Sequence, residues 1–191
     1  MTSTNSAPIN VQNAKKVIVS LPFGTNNALT DGATENYDDT LDDTVKGALF
    51  SKADLVINGE GGLSIYANHA DGINGRDDVK ILGGSIDVTA ADDGIVGKDM
   101  VAIETAVMKI DAANDAIKST NDTDTKKGII VIAGGTYTLT AGHDGIQAET
   151  YLYIEGGDFT IAAGGGSAAA TVANGFDEMA QGDVYKRQLQ R

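Results

Sequence analysis

The sequence contains no cysteine and no tryptophan, only two prolines, and just 5 % aromatic residues. Without cysteine there is neither a disulfide framework nor a thiolate metal site, and redox chemistry gives no hint of compartment. Only His69 and His143 offer imidazole, too few for an ordinary zinc site. The absence of tryptophan argues against a broad, flat aromatic face for sugars. Positive charge is scarce as well: 14 basic against 27 acidic residues give a formal charge of −13, which excludes nucleic acid or an anionic membrane as a direct electrostatic partner. Apolar runs last only a few residues, far below the ~20 needed to cross a bilayer. Met1 is not followed by the basic and apolar regions of a signal peptide, so membrane insertion is not expected and no address is legible.

What is present suits a folded domain. The 191 residues are 41 % hydrophobic, enough for one core. The dominant signal is self-similarity. Asp71-Gly72-Ile73 recurs as Asp93-Gly94-Ile95, Asp115-Ala116-Ile117 and Asp144-Gly145-Ile146 at spacings of 22, 22 and 29. The excess in the last interval falls in the polar stretch Thr120 to Lys127, as expected of a loop inserted at a corner. The pairs Val79/Ile81, Val101/Ile103, Ile130/Ile132 and Leu152/Ile154 share one register, and Ile86/Val88, Met108/Ile110, Tyr137/Leu139 and Phe159/Ile161 share another. Between them stand Gly83-Gly84, Gly134-Gly135 and Gly156-Gly157, replaced once by Thr105-Ala106.

Each repeat therefore reads as two short strands of period-2 burial, a glycine-rich corner, and a third inward step at the Ile of Asp-Gly-Ile. Three sides per coil make an all-β, triangular, single-stranded parallel β-helix of about 22-residue coils, stacked about 4.8 Å apart. Leu55/Ile57 and Leu63/Ile65 supply an earlier coil, and Val11, Val17 and Val19 suggest a first one before a polar loop from Asp31 to Lys46. Ile103, Val107, Ile110 and Ile117 have helical spacing, but the column register overrides that local reading. A single β-helix domain is expected over residues 1–182, cut at both ends. The tail Asp183 to Arg191 resembles the translated adapter found at the ends of reading frames from metagenomic libraries and is read as an artefact. Unpaired coil edges at the cuts predict end-to-end association.

Stacking places Asp71, Asp93, Asp115 and Asp144 in one column, preceded by Ala70, Asp92, Asn114 and His143. Carboxylates about 5 Å apart repel by roughly 3 kcal/mol at an effective dielectric near 20. Either they splay into water or hard divalent cations bridge them. Calcium suits the second arrangement, since it takes six to eight oxygens in flexible geometry. The loop Asn121-Asp122-Thr123-Asp124 offers further oxygens. Asp92, Asp93, Asp115 and Asp122 are the first choice of site, within a wider metal set of Asp71, Asp92, Asp93, Asp115, Asn121, Asp122 and Asp144. The plain alternative is that Asp-Gly simply makes the corner turn.

A basic column holds Lys52, Arg76 and Lys98, with Lys118 nearby. Beside calcium, such a cation neutralises a uronate, and a lysine of lowered pKa can abstract the proton next to its carboxyl group. The simpler role is pairing with Asp54, Asp77, Asp78 and Asp99 across exposed strands. Among the aromatics Tyr66, Tyr137, Tyr151, Tyr153 and Phe159, Tyr137 and Phe159 fall in inward columns, while Tyr151 and Tyr153 face outward as a sugar-stacking strip. Lys98, Lys118, Tyr151 and Tyr153 are thus the candidate carbohydrate-binding residues.

The segments Ala48-Leu49-Phe50-Ser51-Lys52, Asp92-Asp93-Gly94-Ile95-Val96-Gly97-Lys98-Asp99, Lys118-Ser119-Thr120-Asn121-Asp122 and Asp144-Gly145-Ile146-Gln147-Ala148-Glu149-Thr150 resemble a secreted bacterial β-helix family. That family is described as a calcium-containing carbohydrate-binding domain whose members bind cellulose and polygalacturonate, and it is similar in fold to the family 9 pectate lyases. The resemblance covers the chain from about Ser6 to Ser167. It implies a right-handed parallel β-helix, calcium at the Asp corners, a plant cell-wall polysaccharide as partner, and a secreted or cell-surface location. Asp92-Asp93 and Asn121-Asp122 are the ligands it carries over. Ala116 and Thr105-Ala106 depart from the family pattern. The expected function is non-catalytic, calcium-dependent polysaccharide binding. The alternatives are a pectate-lyase-type enzyme with Lys98 or Lys118 as base, and a structural stalk or adhesin.

Overall fold

The computed structural model describes residues 1–33 and 45–164; most of the Asp31–Lys46 loop, and the whole of the Asp183–Arg191 tail, lie outside them. The described chain winds through six coils of three strands each. The first is β1 (Ile9–Val11), β2 (Lys16–Leu21) and β3 (Asn26–Thr30); the second is β4 (Gly47–Ser51), β5 (Asp54–Gly59) and β6 (Gly62–Ala67). The third is β7 (Asp71–Gly75), β8 (Asp78–Ile81) and β9 (Ser85–Ala90), followed by β10 (Ile95–Gly97), β11 (Met100–Ile103) and β12 (Val107–Ala112). The last two are β13 (Ile117–Ser119), β14 (Ile129–Ile132) and β15 (Thr136–Ala141), then β16 (Ile146–Gln147), β17 (Tyr151–Ile154) and β18 (Asp158–Ala163).

Every strand pairs in parallel with its counterpart one coil away. The result is three six-stranded sheets: sheet 1 from β1 to β16, sheet 2 from β2 to β17 and sheet 3 from β3 to β18. This is a right-handed parallel β-helix. The columns align as the spacing predicts, with Val79, Val101, Ile130 and Leu152 in one register and Ile86, Met108, Tyr137 and Phe159 in another. Inward residues of the middle coils are almost fully buried in one continuous core. Tyr137 and Phe159 stack within it with ring centroids 4.5 Å apart, and the Tyr137 hydroxyl donates to the Gly134 carbonyl.

The Ile103–Ile117 segment forms β12 and the corners that flank it rather than a helix, because burial against neighbouring coils outweighs its local helical spacing. In the first coil Ile9 aligns with Leu49 and packs against the core, and Val11, two residues on and on the same face, aligns with Ser51. Sheet 1 is buried on both faces in the early coils, since Ala7 and Val45 cover the outward Phe50. At the corner between sheets 2 and 3, Gly84 and Gly135 adopt φ of 98° and 117°, which a side chain disfavours. Ala106 occupies the same column without a positive φ.

Candidate functional site

The corner between sheets 3 and 1 is built by the aspartate column. The Asp71 carboxylate accepts the Asp93 amide at 3.1 Å, Asp93 accepts the Asp115 amide at 2.9 Å, and Asp115 accepts the Asp144 amide at 2.9 Å. In return, the Asp93, Asp115 and Asp144 carbonyls accept the amides of Gly72, Gly94 and Ala116 one coil back. Side chain thus substitutes for main chain where the corner interrupts the β ladder. Each charge-assisted bond of this kind contributes about 1.5–3 kcal/mol. The repulsion expected from stacked carboxylates is answered first by these amides, an arrangement distinct from both splaying and cation bridging.

One part of the column is left over-charged. Carboxylate oxygens of Asp71, Asp92 and Asp93 all lie within 4.8 Å of one another. Asp71 is 4 % exposed; burial, with the charges of Asp93 and Asp92 adding to it, pushes its carboxyl up to about 7. Burial also raises Asp93, against the pull of the Asp115 amide and Lys118. Asn74, three residues after Asp71, donates from Nδ2 to Asp71 Oδ2 at 2.5 Å. Its own Oδ1 is buried without a partner. The converging donors are therefore three carboxylates, an all-oxygen set that fits a hard cation such as calcium and not zinc or copper.

The other residues expected at the site are placed elsewhere. Asp115 and Asp93 are bridged by Lys118, whose Nζ lies 2.6 Å from Asp115 Oδ2 and 3.4 Å from Asp93 Oδ2. Asp144 is exposed in the last described coil. Asn121 and Asp122 stand at the next corner, between sheets 1 and 2. There Asn121 donates to Asp99 Oδ1 at 2.6 Å and accepts the amides of Thr123 and Asp124, closing the inserted loop. Asp122 is exposed. The Asp92–Asp93–Asp115–Asp122 grouping is thus replaced by Asp71–Asp92–Asp93, because a corner side chain is aimed by local backbone that column membership does not fix.

Around Asn121 lies a second acidic group. Lys127 pairs with Asp99 at 2.5 Å. Although burial pushes Asp99 upward, the hydrogen bonds from Lys127, Asn121 and Asp77 hold its carboxyl below the usual range, whereas burial and its acidic neighbours raise Asp77. A recess of about 350 Å³ is lined by Asp77, Asp78, Asp99, Met100, Lys126, Lys127 and Ile129. Lys98 is exposed near this corner, and its carbonyl accepts the Asn121 amide at 2.9 Å.

Met100 and Ile129 continue along the outer face of sheet 2 to Tyr151, and Ala102 and Val131 to Tyr153. The two tyrosines are 58 % and 62 % exposed. They face outward as the alternation predicts, but as the end of a wider apolar strip that includes Met100, Ile129 and Val131. The run Ile129–Ile132 carries no polar alternation, and that was the signal for it.

Residues 1–188 match the family model described as "Carbohydrate-binding domain-containing protein". The chain belongs to this family. A member from Acetivibrio thermocellus, also described as a carbohydrate-binding domain-containing protein, is 39 % identical over 90 residues, which are 47 % of this chain and 32 % of that protein. The chain thus spans about a third of that relative's length. The fold matches the solved structure of a polysaccharide lyase-like protein from C. thermocellum, in a gadolinium derivative, with a TM-score of 0.72 and 33 % identity over 85 % of this chain and 69 % of that one.

Proposed function

We propose that this chain is a non-catalytic module that binds plant cell-wall polysaccharide, cellulose or polygalacturonate, with the help of calcium and outside the cell where such polymers occur. The observation that carries the calcium reading is the Asp71–Asp92–Asp93 group: three carboxylates within 4.8 Å, a carboxyl pushed up by burial, and a buried amide oxygen of Asn74 with no partner. A divalent cation there would take up the excess negative charge, and a turn of the Asn74 amide would bring its idle oxygen to the ion. Gadolinium, present in the related polysaccharide lyase-like structure, is likewise a hard, oxygen-seeking cation.

The sugar surface in this reading is the outer face of sheet 2. Tyr151 and Tyr153 offer rings to stack on sugar faces, and Lys126 and Lys127 at the adjoining recess offer charge to a uronate. Of the two lysines a lyase would use, Lys98 and Lys118, the second is set against the role of base. Burial alone would lower its pKa, but Asp115 and Asp93 hold it above the ordinary lysine range, opposite to what a base at neutral pH requires. The test is retention on insoluble cellulose and on polygalacturonate, each with calcium and with chelator. Retention on at least one, weakened by chelator, is expected; no retention under any of the four conditions refutes the binding role. Release of unsaturated product from polygalacturonate would instead establish a lyase.

A further inference from the structure

The aspartate column is not uniform, and its variation follows the coil register. The residue before each ladder aspartate is Ala70, Asp92, Asn114 and His143 in turn; the third residue after it is Asn74, Val96, Lys118 and Gln147. Between Asp71 and Asp93 the rung holds a third carboxylate from Asp92, and Lys118 reaches only its far member, Asp93, at 3.4 Å. One rung later the chemistry changes at two places together. Asn114 stands where Asp92 stood, donating to Asp93 Oδ1 at 2.8 Å, and Lys118 reaches across the rung.

The atoms show what Lys118 does there. Oδ1 of Asp93 is taken by the Asp115 amide and Asn114, and Oδ1 of Asp115 by the Asp144 amide. The two Oδ2 atoms, from successive coils, converge on one Nζ at 3.4 and 2.6 Å. Both carboxylates are nearly buried, with side-chain exposures of 10 % and 5 %. An ammonium so placed occupies the position a cation bridging the two coils would take.

We propose that Lys118 is a built-in counter-ion that closes the Asp93–Asp115 rung to metal, so that removing its charge opens a second divalent-cation site between those carboxylates. A lysine serving merely as a stabilising ion pair predicts a different result: its loss weakens the fold and no ion replaces it. The proposal rests on the cation reading of the neighbouring rung only for comparison, and the two fail separately.

The experiment counts ions. Ca²⁺ and Tb³⁺ are titrated calorimetrically into the full chain as wild type, Lys118→Gln, Lys118→Arg and the double variant Lys118→Gln/Asp115→Asn. Lys118→Gln is expected to bind one more cation per chain than wild type, while Lys118→Arg and the double variant bind no more than wild type. If Lys118→Gln is unfolded in chelator by circular dichroism, its ions are counted after refolding in Ca²⁺: one more than wild type supports the proposal, and failure to refold overturns it. A folded Lys118→Gln with the wild-type count also overturns it. A wild type that binds no ion alongside a Lys118→Gln that binds one removes the calcium reading of the Asp71 rung and leaves this proposal standing; one ion in each protein does the reverse.

Discussion

Replacing Asp71 with asparagine should stabilise the metal-free protein at alkaline pH. The Asp71 carboxyl ionises near 3.8 in the unfolded chain and at about 7 when folded, so the folded state holds its proton more tightly. Stability from this group is therefore full below about pH 4 and is lost as pH rises through 7. At 1.36 kcal/mol per pKa unit, the loss by pH 8 is on the order of 4 kcal/mol. A protein of this size shifts its melting temperature by roughly 2–4 °C per kcal/mol, so the difference is about 8–16 °C. Asparagine keeps the oxygen that accepts the Asp93 amide and presents an NH₂ that the idle Asn74 Oδ1 can accept once that amide turns over. It does not titrate. Melting followed by circular dichroism, in chelator from pH 4 to 8, should show Asp71→Asn level with wild type at pH 4 and about 8–16 °C above it at pH 8. In calcium at pH 8 the gap should close or reverse, because only wild type keeps three carboxylates for the ion. An Asp71→Asn protein that melts no higher than wild type at pH 8 in chelator would refute the electrostatic reasoning.

Calcium at a hundred times its dissociation constant should stabilise wild type by about 2.7 kcal/mol, or roughly 5–11 °C, measured by calorimetry; no shift at any calcium concentration counts against the site. Ile95→Ala, in the middle of the fully buried Ile73–Ile95–Ile117 column, should cost about 2–5 kcal/mol with or without calcium, as read from denaturant unfolding. Gly94→Ala places a methyl against the Ile110 side chain and the Ala116 carbonyl and should cost about 1–3 kcal/mol in the same assay. The double variant Tyr151→Ala/Tyr153→Ala should reduce polysaccharide retention several-fold while moving the melting temperature little, since both rings are more than half exposed; unchanged retention would move the sugar surface elsewhere.

The coil was legible because it is periodic. Spacings of 22 between Asp-Gly-Ile motifs and the paired β-branched columns specify which residues stack, and a parallel ladder turns that register directly into contacts. Even Ile103 to Ile117, helical in local spacing, reads as strand and corner from its neighbours' columns. The signals for Asn74 and Lys118 as rung partners were also present, since both stand three residues after a ladder aspartate. They acquire meaning only when the corner geometry shows that this offset returns the side chain to the carboxylate.

By itself, then, the sequence determined the repeat, the three faces, the buried columns and the presence of an acidic corner, because these follow from periodicity and burial, which are properties of the chain order. Tertiary structure alone decided how the corner is used. It bonded each aspartate to the next coil's amide, drew Asp71, Asp92 and Asp93 together, assigned Lys118 to the next rung, and sent Asn121 and Asp122 to a different corner. The physical reason is that a turn has no period: the direction of a side chain there depends on the local backbone and on which charges lie within a few ångströms, and both exist only once the coils are stacked.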